Sequence, residues 1–415
     1  MPVRLSYKRE TQEQRRRARL YFAATTVLII AGAVVPACVT GIMHQRAHER
    51  SLQAEVTWRR WYEHTGFNWN ELSLNTGLPK WNDGRCQFMT NFGRAGVEKM
   101  ARLFFEPAMR AAAPNANGRE CLTYDDNDAN PCWRTRNRGR VPLVEAAVVF
   151  MARLRSEDPW EKLAEGLGGK HVSRYKLLFI ELTQVLYDYW YDRLTDVRNY
   201  EDDVVQEWAH LVYAKTNGSP RTIGFLDGTW VDVARPGGLD LFQRAVYNRY
   251  YAGHGIKFQS IAAPNGIILD LFGPICGRHS DSTMLRRSGL EAKLQELSQR
   301  MGWTCVVYAD SAYAASAHVM RGLKRHMMHT QEERDYSAMM SHVRIAVEWA
   351  FGQIKRDFPY LKNQVHAKMF LSPVGRMFQV GALLSNCKAC LAGGNIISKH
   401  FGGRMFTLEE YLNRG

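Results

Sequence analysis

The sequence has little cysteine for its length. Its 415 residues include eight cysteines scattered along the chain, without the density of a small disulfide-linked secreted domain. Cys387 and Cys390 form a C-x-x-C pair, but no second pair lies at a useful spacing, so no structural zinc site is predicted. We therefore expect a protein of a reducing compartment.

The chain is also short of acidic residues relative to basic ones. Lys and Arg exceed Asp and Glu by 55 to 41, which gives a formal net charge of +14. Such a charge attracts polyanions, either nucleic acid or an acidic membrane surface. Apolar residues make up 46% of the chain and charged residues 23%, which is typical of folded proteins, and the length favours two or three domains.

One uncharged run complicates the N-terminal region. Residues 20–43 carry no charge and follow a group of arginines, and they are long enough to span a bilayer. The run also contains Pro36 and is only weakly hydrophobic, so a buried or amphipathic helix is the alternative. We treat residues 1–50 as a basic arm and apolar segment, with membrane attachment left open.

Residues 51–215 read as a mostly helical domain. Apolar spacing indicates a helix-turn-helix near residues 160–189, with a glycine turn between two amphipathic helices. Its second helix would expose Lys170, Arg174 and Lys176 to DNA. An ordinary helical hairpin is the alternative, because no base-reading pattern is visible.

The composition becomes strand-like after residue 216. A mixed α/β order is typical of a ribonuclease H-like domain, which we place at residues 216–395, with a C-terminal tail at 396–415. The fold class is therefore α/β, with a helical domain preceding a mixed-sheet catalytic domain. The predicted segments are, in order, a strand at 221–226, a hairpin of strands at 256–263 and 267–275, a helix from about residue 280, a strand at 303–309 and a helix at 341–358.

Three acids stand where this order would bring them together. Asp227 and Asp310 each follow a predicted strand, and Glu348 lies beside the apolar stripe of the last helix, with Arg344 and Lys355 on the same side. Phosphodiester cleavage needs charge neutralisation that two divalent ions can supply, and such ions prefer carboxylate ligands on rigid elements. Taken singly, Asp227 could cap a turn and Glu348 could pair with Arg344.

Four motifs carry a resemblance to a known family. GFLDGTW at 224–230, NRYYAGHGIKFQSIAAPNGIILDLFGPICGRHSDSTML at 248–285, VVYADSAY at 306–313 and RIAVEWAFGQIKRDFPYLK at 344–362 resemble, in order and spacing, the nuclease region of PIF/Harbinger-type DDE transposases. The resemblance implies a ribonuclease H-like core, metal-dependent DNA cleavage, and a catalytic and metal-binding triad of Asp227, Asp310 and Glu348. It adds Asp281 as a further metal ligand, for which a helix-start role is the alternative. Trp230 and Ala312 depart from the family pattern, which often has His and Gly there.

The sequence thus predicts a metal-dependent DNA endonuclease or transposase using Mg²⁺ or Mn²⁺, with two ions expected. A catalytically silent DNA-binding protein and a membrane-attached protein are the alternatives. A nuclear location, a Myb-like accessory DNA-binding protein and a homo-oligomer are further expectations. The residues predicted to contact DNA are Arg344, Lys355, Arg356, Lys170, Arg174 and Lys176.

Overall fold

The structure is a computed structural model, and it describes nine stretches of the chain. These are residues 83–112, 122–123, 132–135, 140–167, 172–237, 240–322, 328–362, 367–369 and 372–414. All nine fall in the unit Asn68–Gly415. The basic arm and the run at 20–43 lie outside the described residues. In the described part of the chain, no helix is long and apolar enough to cross a membrane.

The first half of the described chain is mostly helical. A π-helical turn (Ala101–Phe105) joins the helix Arg94–Met100 to the helix Glu106–Ala111. The helix Leu143–Arg155 is buried on nearly every side because its sequence is mostly apolar. The polar, proline-containing sequence of residues 123–137 predicts a linker, and that prediction is wrong for the strand Cys132–Arg134. The elements are α1 (Asp83–Thr90), α2 (Arg94–Met100), α3 (Glu106–Ala111), β1 (Leu122–Thr123), β2 (Cys132–Arg134), β3 (Arg140–Pro142), α4 (Leu143–Arg155), α5 (Trp160–Gly166), α6 (Val172–Leu194) and α7 (Asp202–Thr216).

The second half holds a mixed sheet and the helices packed on it. The predicted hairpin is confirmed, since Gly266 of the Asn265-Gly266 turn has φ +90°, a value that favours glycine. The elements are β4 (Thr222–Asp232), α8 (Asp240–Val246), β5 (Tyr247–Asn248), β6 (Gly253–Ala262), β7 (Ile268–Cys276), α9 (Asp281–Ser288), α10 (Leu290–Met301), β8 (Val306–Ala309), β9 (Val319–Arg321), α11 (Gln331–Asp357), α12 (Val374–Leu391), α13 (Ile396–Phe401) and α14 (Leu408–Leu412).

The order of the main strands in the sheet is β7-β6-β4-β8-β9, and β5 pairs with the start of β6. Strands β4, β6 and β7 are antiparallel neighbours, whereas β8 and β9 run parallel to β4. The apolar sequence Val306–Ala309 suits β8 because a parallel inner strand is buried on both faces. The central strand β4 therefore joins the hairpin to the parallel pair.

The long helix α11 packs against β4, β6 and β8. It begins ten residues before the predicted start, because Thr330 and Glu333 form a reciprocal capping box. Its predicted apolar stripe is confirmed, with Val343, Val347 and Ile354 among the buried side chains. Helix α11 thus carries residues of the last sequence motif to the centre of the sheet.

The apolar core is continuous through both halves of the described chain. Helix α12 packs against β7 and also against α6, so it connects the sheet to the helical half. Near the C-terminus, α13 and α14 bury Phe401 and Tyr411, and the Tyr411 hydroxyl accepts a hydrogen bond from Asn386 at 2.7 Å. The proposed domain boundaries at residues 216 and 395 stay predictions.

Candidate active site

Asp227 lies in the middle of a strand. The sequence suggested a strand that ends at Asp227, but β4 continues for five residues to Asp232. Strand β6 pairs with β4 from Phe225 to Asp232, with Asp227 opposite Ser260 and Asp232 opposite Gly255. This pairing continues β4 past Asp227. The Asp227 carboxylate accepts a hydrogen bond from the Gly228 amide at 2.8 Å. This acid is therefore held on a rigid element, the inner strand of the sheet.

Asp310 follows β8 directly, as predicted. The parallel register pairs Leu226 with Ala309, so Asp227 and Asp310 are the next residues on two neighbouring strands. The Asp310 carboxylate accepts hydrogen bonds from the Ser311 hydroxyl at 3.0 Å and from the Ala312 amide at 3.1 Å. The expected convergence of these two acids at the sheet is observed.

Arg344 connects Glu348 to Asp227. One guanidinium nitrogen donates to Asp227 Oδ2 at 3.1 Å, and another donates to Glu348 Oε1 at 2.9 Å. The bond to Glu348 is the i,i+4 contact expected on a helix. Arg344 is largely buried, while half of the Glu348 side chain is exposed. Glu348 therefore faces Asp227 across a guanidinium group.

The charges that act on Asp227 come from Arg344 and from the other two acids. Burial raises the pKa of Asp227 to about 6, the Arg344 guanidinium and the Gly228 amide oppose that shift, and Glu348 and Asp310 add to it. A carboxyl group gains pKa from burial and from like charges nearby. We define these three residues, Asp227, Asp310 and Glu348, as the acidic site.

Asp281 reaches β4 from another side. It is the first residue of α9, with Ser280 as the N-cap, so its helix-start position is confirmed. Its carboxylate pairs with the buried ammonium of Lys257 and lies 3.2 Å from the point where a Cβ on Gly228 would be. Because neighbouring residues of a strand point to opposite faces, Asp281 approaches the face opposite the Asp227 side chain. Its metal role stays a prediction.

Two residues beside the acids were missed by sequence reasoning. The hydroxyl of Tyr313 is buried and has no hydrogen-bond partner within the described stretches. Burial raises its pKa well above 10, and the nearby carboxylates of Asp281, Asp227 and Asp310 add to the shift. The second missed residue is Lys257. The sequence signal that could have identified it is a single lysine within the largely apolar strand β6. Tyr313 stands in the VVYADSAY motif, which was a signal for it.

The predicted DNA-contacting residues on α11 lie in different settings. Lys355 donates to the Thr229 hydroxyl at 3.0 Å and to the Trp230 carbonyl at 2.9 Å, and burial lowers its pKa. Its ammonium thus ties α11 to β4 within the fold. Arg356 is exposed. Arg344 is engaged by the acids.

Two of the other predicted basic residues, Arg174 and Lys176, lie on α6. The expected exposure of Arg174 is wrong, because its side chain is only 4% exposed and packs inside the helical half near Glu145. Lys176 is exposed and pairs with Glu161 at 3.5 Å. Lys170 and the glycine turn lie outside the described residues. The flanking helices α5 and α6 are present, and their reading as a helix-turn-helix stays a prediction.

No group of three or more His, Cys, Asp and Glu side chains is arranged to hold a metal ion among the residues that the structure describes. At the acidic site, the guanidinium of Arg344 lies between Asp227 and Glu348 and pairs with both. The two acids on neighbouring strands remain side by side.

These features define a mixed α/β protein with carboxylates gathered at the centre of its sheet. Residues 226–386 match the family model described as DDE superfamily endonuclease. The matched stretch runs from β4 to α12 and contains the whole acidic site, and it indicates a transposase-like nuclease with DNA as its substrate. No curated protein matches the chain, and no solved structure does.

Proposed function

We propose that this protein is a divalent-metal-dependent DNA endonuclease of the DDE transposase type. The single observation that carries the proposal is the placement of Asp227 and Asp310 on neighbouring parallel strands, with Glu348 joined to Asp227 through Arg344. The family match at residues 226–386 supports the same activity. Asp227, Asp310 and Glu348 are the proposed catalytic residues.

The fold that we propose for the catalytic part is ribonuclease H-like. The strand order supports it, since an antiparallel β4–β6–β7 meander continues through β4 into the parallel strands β8 and β9. In this arrangement the first acid lies on the central strand and the second follows its parallel neighbour. The third comes from a helix that packs on the same strands.

The residues present fit a divalent cation with one rearrangement. Mg²⁺ prefers carboxylate oxygens, and Asp227, whose side chain is largely buried, and Asp310 offer such oxygens from neighbouring strands. Asp227, Asp310 and Glu348 would hold Mg²⁺ or Mn²⁺ once Arg344 turns away. When bound, two such ions would neutralise the attacking and leaving oxygens of a phosphodiester.

The remaining side chains have roles that follow from their contacts. Arg344, freed from the acids, is within reach of a phosphate brought to them, and guanidinium groups bind phosphate well. Lys355 fixes the second half of β4 through Thr229 and Trp230, which keeps Asp227 in place. Lys257 neutralises Asp281 on the opposite face.

We also propose five more specific points, which are expectations from the family resemblance of the sequence motifs. They are membership of the PIF/Harbinger subgroup, a helix-turn-helix formed by α5 and α6, a Myb-like accessory protein, homo-oligomers and a nuclear location. The net charge of +14 supports DNA as the partner. Membrane attachment through residues 20–43 is the competing location.

Plasmid nicking tests the proposed activity. We expect the full chain to nick supercoiled plasmid in Mg²⁺ or Mn²⁺, and Asp227→Asn to abolish nicking, because the amide removes a charge that the ions require. Asp192→Asn, an exposed residue of α6, serves as the matched control and should nick normally. Nicking that persists in Asp227→Asn would overturn the proposal.

A catalytically silent DNA-binding protein is the second candidate. The observation in its favour is Arg344, which already neutralises two of the acids. This candidate predicts salt-sensitive DNA binding without cleavage and no change in melting temperature on adding Mn²⁺. Metal-induced stabilisation that Asp227→Asn removes would exclude it.

A further inference from the structure

A turn rich in tyrosine projects from the sheet beside the acidic site. It consists of residues 248–252, which connect β5 to β6, and we call it the tyrosine turn. Tyr250 is 88% exposed and Tyr251 is 45% exposed. Exposed aromatic side chains that lie together form a patch, and a contiguous patch indicates an interaction site more strongly than a single exposed residue does.

The rings of this turn are ordered. Tyr251 stacks on Trp230 with centroids 4.4 Å apart and an interplanar angle of 18°, and Tyr250 meets Tyr251 edge to face at 5.0 Å. Trp230 is fixed in turn, because its indole nitrogen donates to Asp232 at 2.8 Å. The exposed tyrosine rings are therefore supported by the buried Trp230 ring.

Two glycines leave the space that the Trp230 ring occupies. A Cβ on Gly255 would lie 2.3 Å from the Trp230 ring, and one on Gly277 would lie 2.5 Å from it. The turn itself is held by Asn248, which accepts from the Tyr250 amide at 2.9 Å and donates to the Gly277 carbonyl at 2.7 Å. The tyrosines are thus presented in a fixed orientation, which lowers the entropic cost of binding.

The charge around the turn suits a polyanion. No Asp or Glu occurs between residues 241 and 269. Arg249 within the turn and Arg278 next to Gly277 are both exposed. Of the nearby acids, Asp240 pairs with Arg244, Asp281 pairs with Lys257, and Asp232 accepts a hydrogen bond from Trp230.

The turn is also close to the proposed chemistry. Trp230 belongs to the same strand as Asp227. Burial raises the pKa of Tyr251, and the carboxylates of Asp281 and Asp227 contribute to that shift. A nucleotide stacked on the turn would therefore lie a few residues along β4 from Asp227, on the face of the strand that Asp281 approaches, because Trp230 and Gly228 point to the same side.

We propose that the tyrosine turn stacks an unpaired base of the DNA substrate, with Tyr250 as the stacking ring and Tyr251 and Trp230 as its support. Every base presents a flat face to an aromatic ring, so such contacts tolerate any sequence but require an unstacked nucleotide. The preferred substrate is then DNA with unpaired nucleotides within the region that the protein contacts. This inference rests on the nuclease function proposed above and adds the structural state of its substrate.

The test measures binding without metal, so that cleavage is not needed for a result. Fluorescence anisotropy in EDTA compares the affinity of the full chain for a paired duplex and for the same duplex with one unpaired 2-aminopurine. We expect the unpaired probe to bind about tenfold more tightly and its fluorescence to be quenched on stacking. Tyr250→Ala should lose both effects, whereas Tyr250→Phe, which keeps the ring, should retain them.

Tyr213→Ala is the matched control, because Tyr213 is an exposed tyrosine on α7 and should behave as the original protein. Equal affinity for the two probes, or a preference that survives in Tyr250→Ala, overturns the inference. A Tyr250→Ala variant that changes self-association in sedimentation instead of DNA affinity also overturns it, since the turn is then a protein contact. Plasmid nicking with no preference for unpaired DNA rejects this inference alone, whereas no DNA binding and no nicking rejects both proposals.

Discussion

Arg344 forms ion pairs with both Asp227 and Glu348. The i,i+4 spacing indicated a contact with Glu348, and that contact is present. The second bond, to Asp227, joins residues 117 positions apart in the chain, and no local pattern reports it. The arginine therefore serves as the counter-ion of two acids, and its predicted DNA contact requires that it leave them.

Glu145 is a second residue with an unusual environment. It lies on α4, and neither of its carboxylate oxygens has a hydrogen-bond partner in the stretches that the structure describes. Burial raises its pKa to about 8, although the Arg174 guanidinium opposes the shift. The unfolded chain should have a pKa of about 4.3 at this residue. At pH values between these two pKa values, the folded state therefore keeps a proton on Glu145 that the unfolded state has released.

This difference predicts how stability depends on pH. The contribution of Glu145 is fully present below about pH 4.3 and is lost as the pH rises through about 8, because the folded state must then bury a charge. We expect Glu145→Gln to reduce this loss of stability with rising pH and to raise the melting temperature at pH 8 by roughly a few degrees. Thermal unfolding followed by circular dichroism across this range measures it.

Glu291→Gln is the control, because Glu291 is an exposed glutamate on α10 and should leave the curve unchanged. Identical pH profiles for the original protein and Glu145→Gln would show that the glutamate is not protonated in the folded state.

At the scale of elements, α11 and β4 show what local patterns predict well and badly. The apolar stripe of α11 was read correctly because helical periodicity is a local property. The extent of β4 was predicted incorrectly, because the polar sequence Asp-Gly-Thr resembles a turn. Pairing with β6 extends the strand through that sequence, and this pairing is a long-range contact.

Two helical glycines offer a prediction at this scale. A Cβ on Gly352 of α11 would meet nothing within 4 Å, whereas one on Gly381 of α12 would lie 2.4 Å from Leu361. Gly352→Ala should raise the free energy of unfolding by about 0.5–1 kcal/mol, since alanine restricts the unfolded chain. Gly381→Ala should lower it by about 1–3 kcal/mol through overpacking.

Urea unfolding of the two variants measures both effects. The substitution is the same and both sites are helical, so each variant controls for the other. Equal changes in the two proteins would mean that the packing around Gly381 does not decide the outcome.

At the scale of the whole molecule, the excess of basic residues predicts a steep dependence of DNA binding on salt. Arg356 is exposed at the end of α11, and a phosphate contact there is sequence-independent. We expect Arg356→Gln to weaken binding uniformly and to lower the slope of log affinity against log salt by about one. Titrations of duplex DNA at several salt concentrations measure the slope.

Arg102→Gln is the control for that series, because Arg102 is an exposed arginine of the helical half with no predicted DNA contact. A slope that falls equally in both variants would indicate a general charge effect. A slope unchanged in Arg356→Gln would remove that residue from the DNA surface.

The amino-acid sequence by itself determined the mixed α/β class, the hairpin around Gly266 and the stripe of α11, and it identified the three acids as candidates, because these features depend on periodicity, turn residues and short motifs. Tertiary structure alone decided that β4 passes through Asp227, that Arg344 joins two acids, that Arg174 is buried, and that Tyr251 rests on Trp230. Each of these depends on which distant segments pair and pack, and the free energy of such contacts is not encoded in any single stretch of the chain.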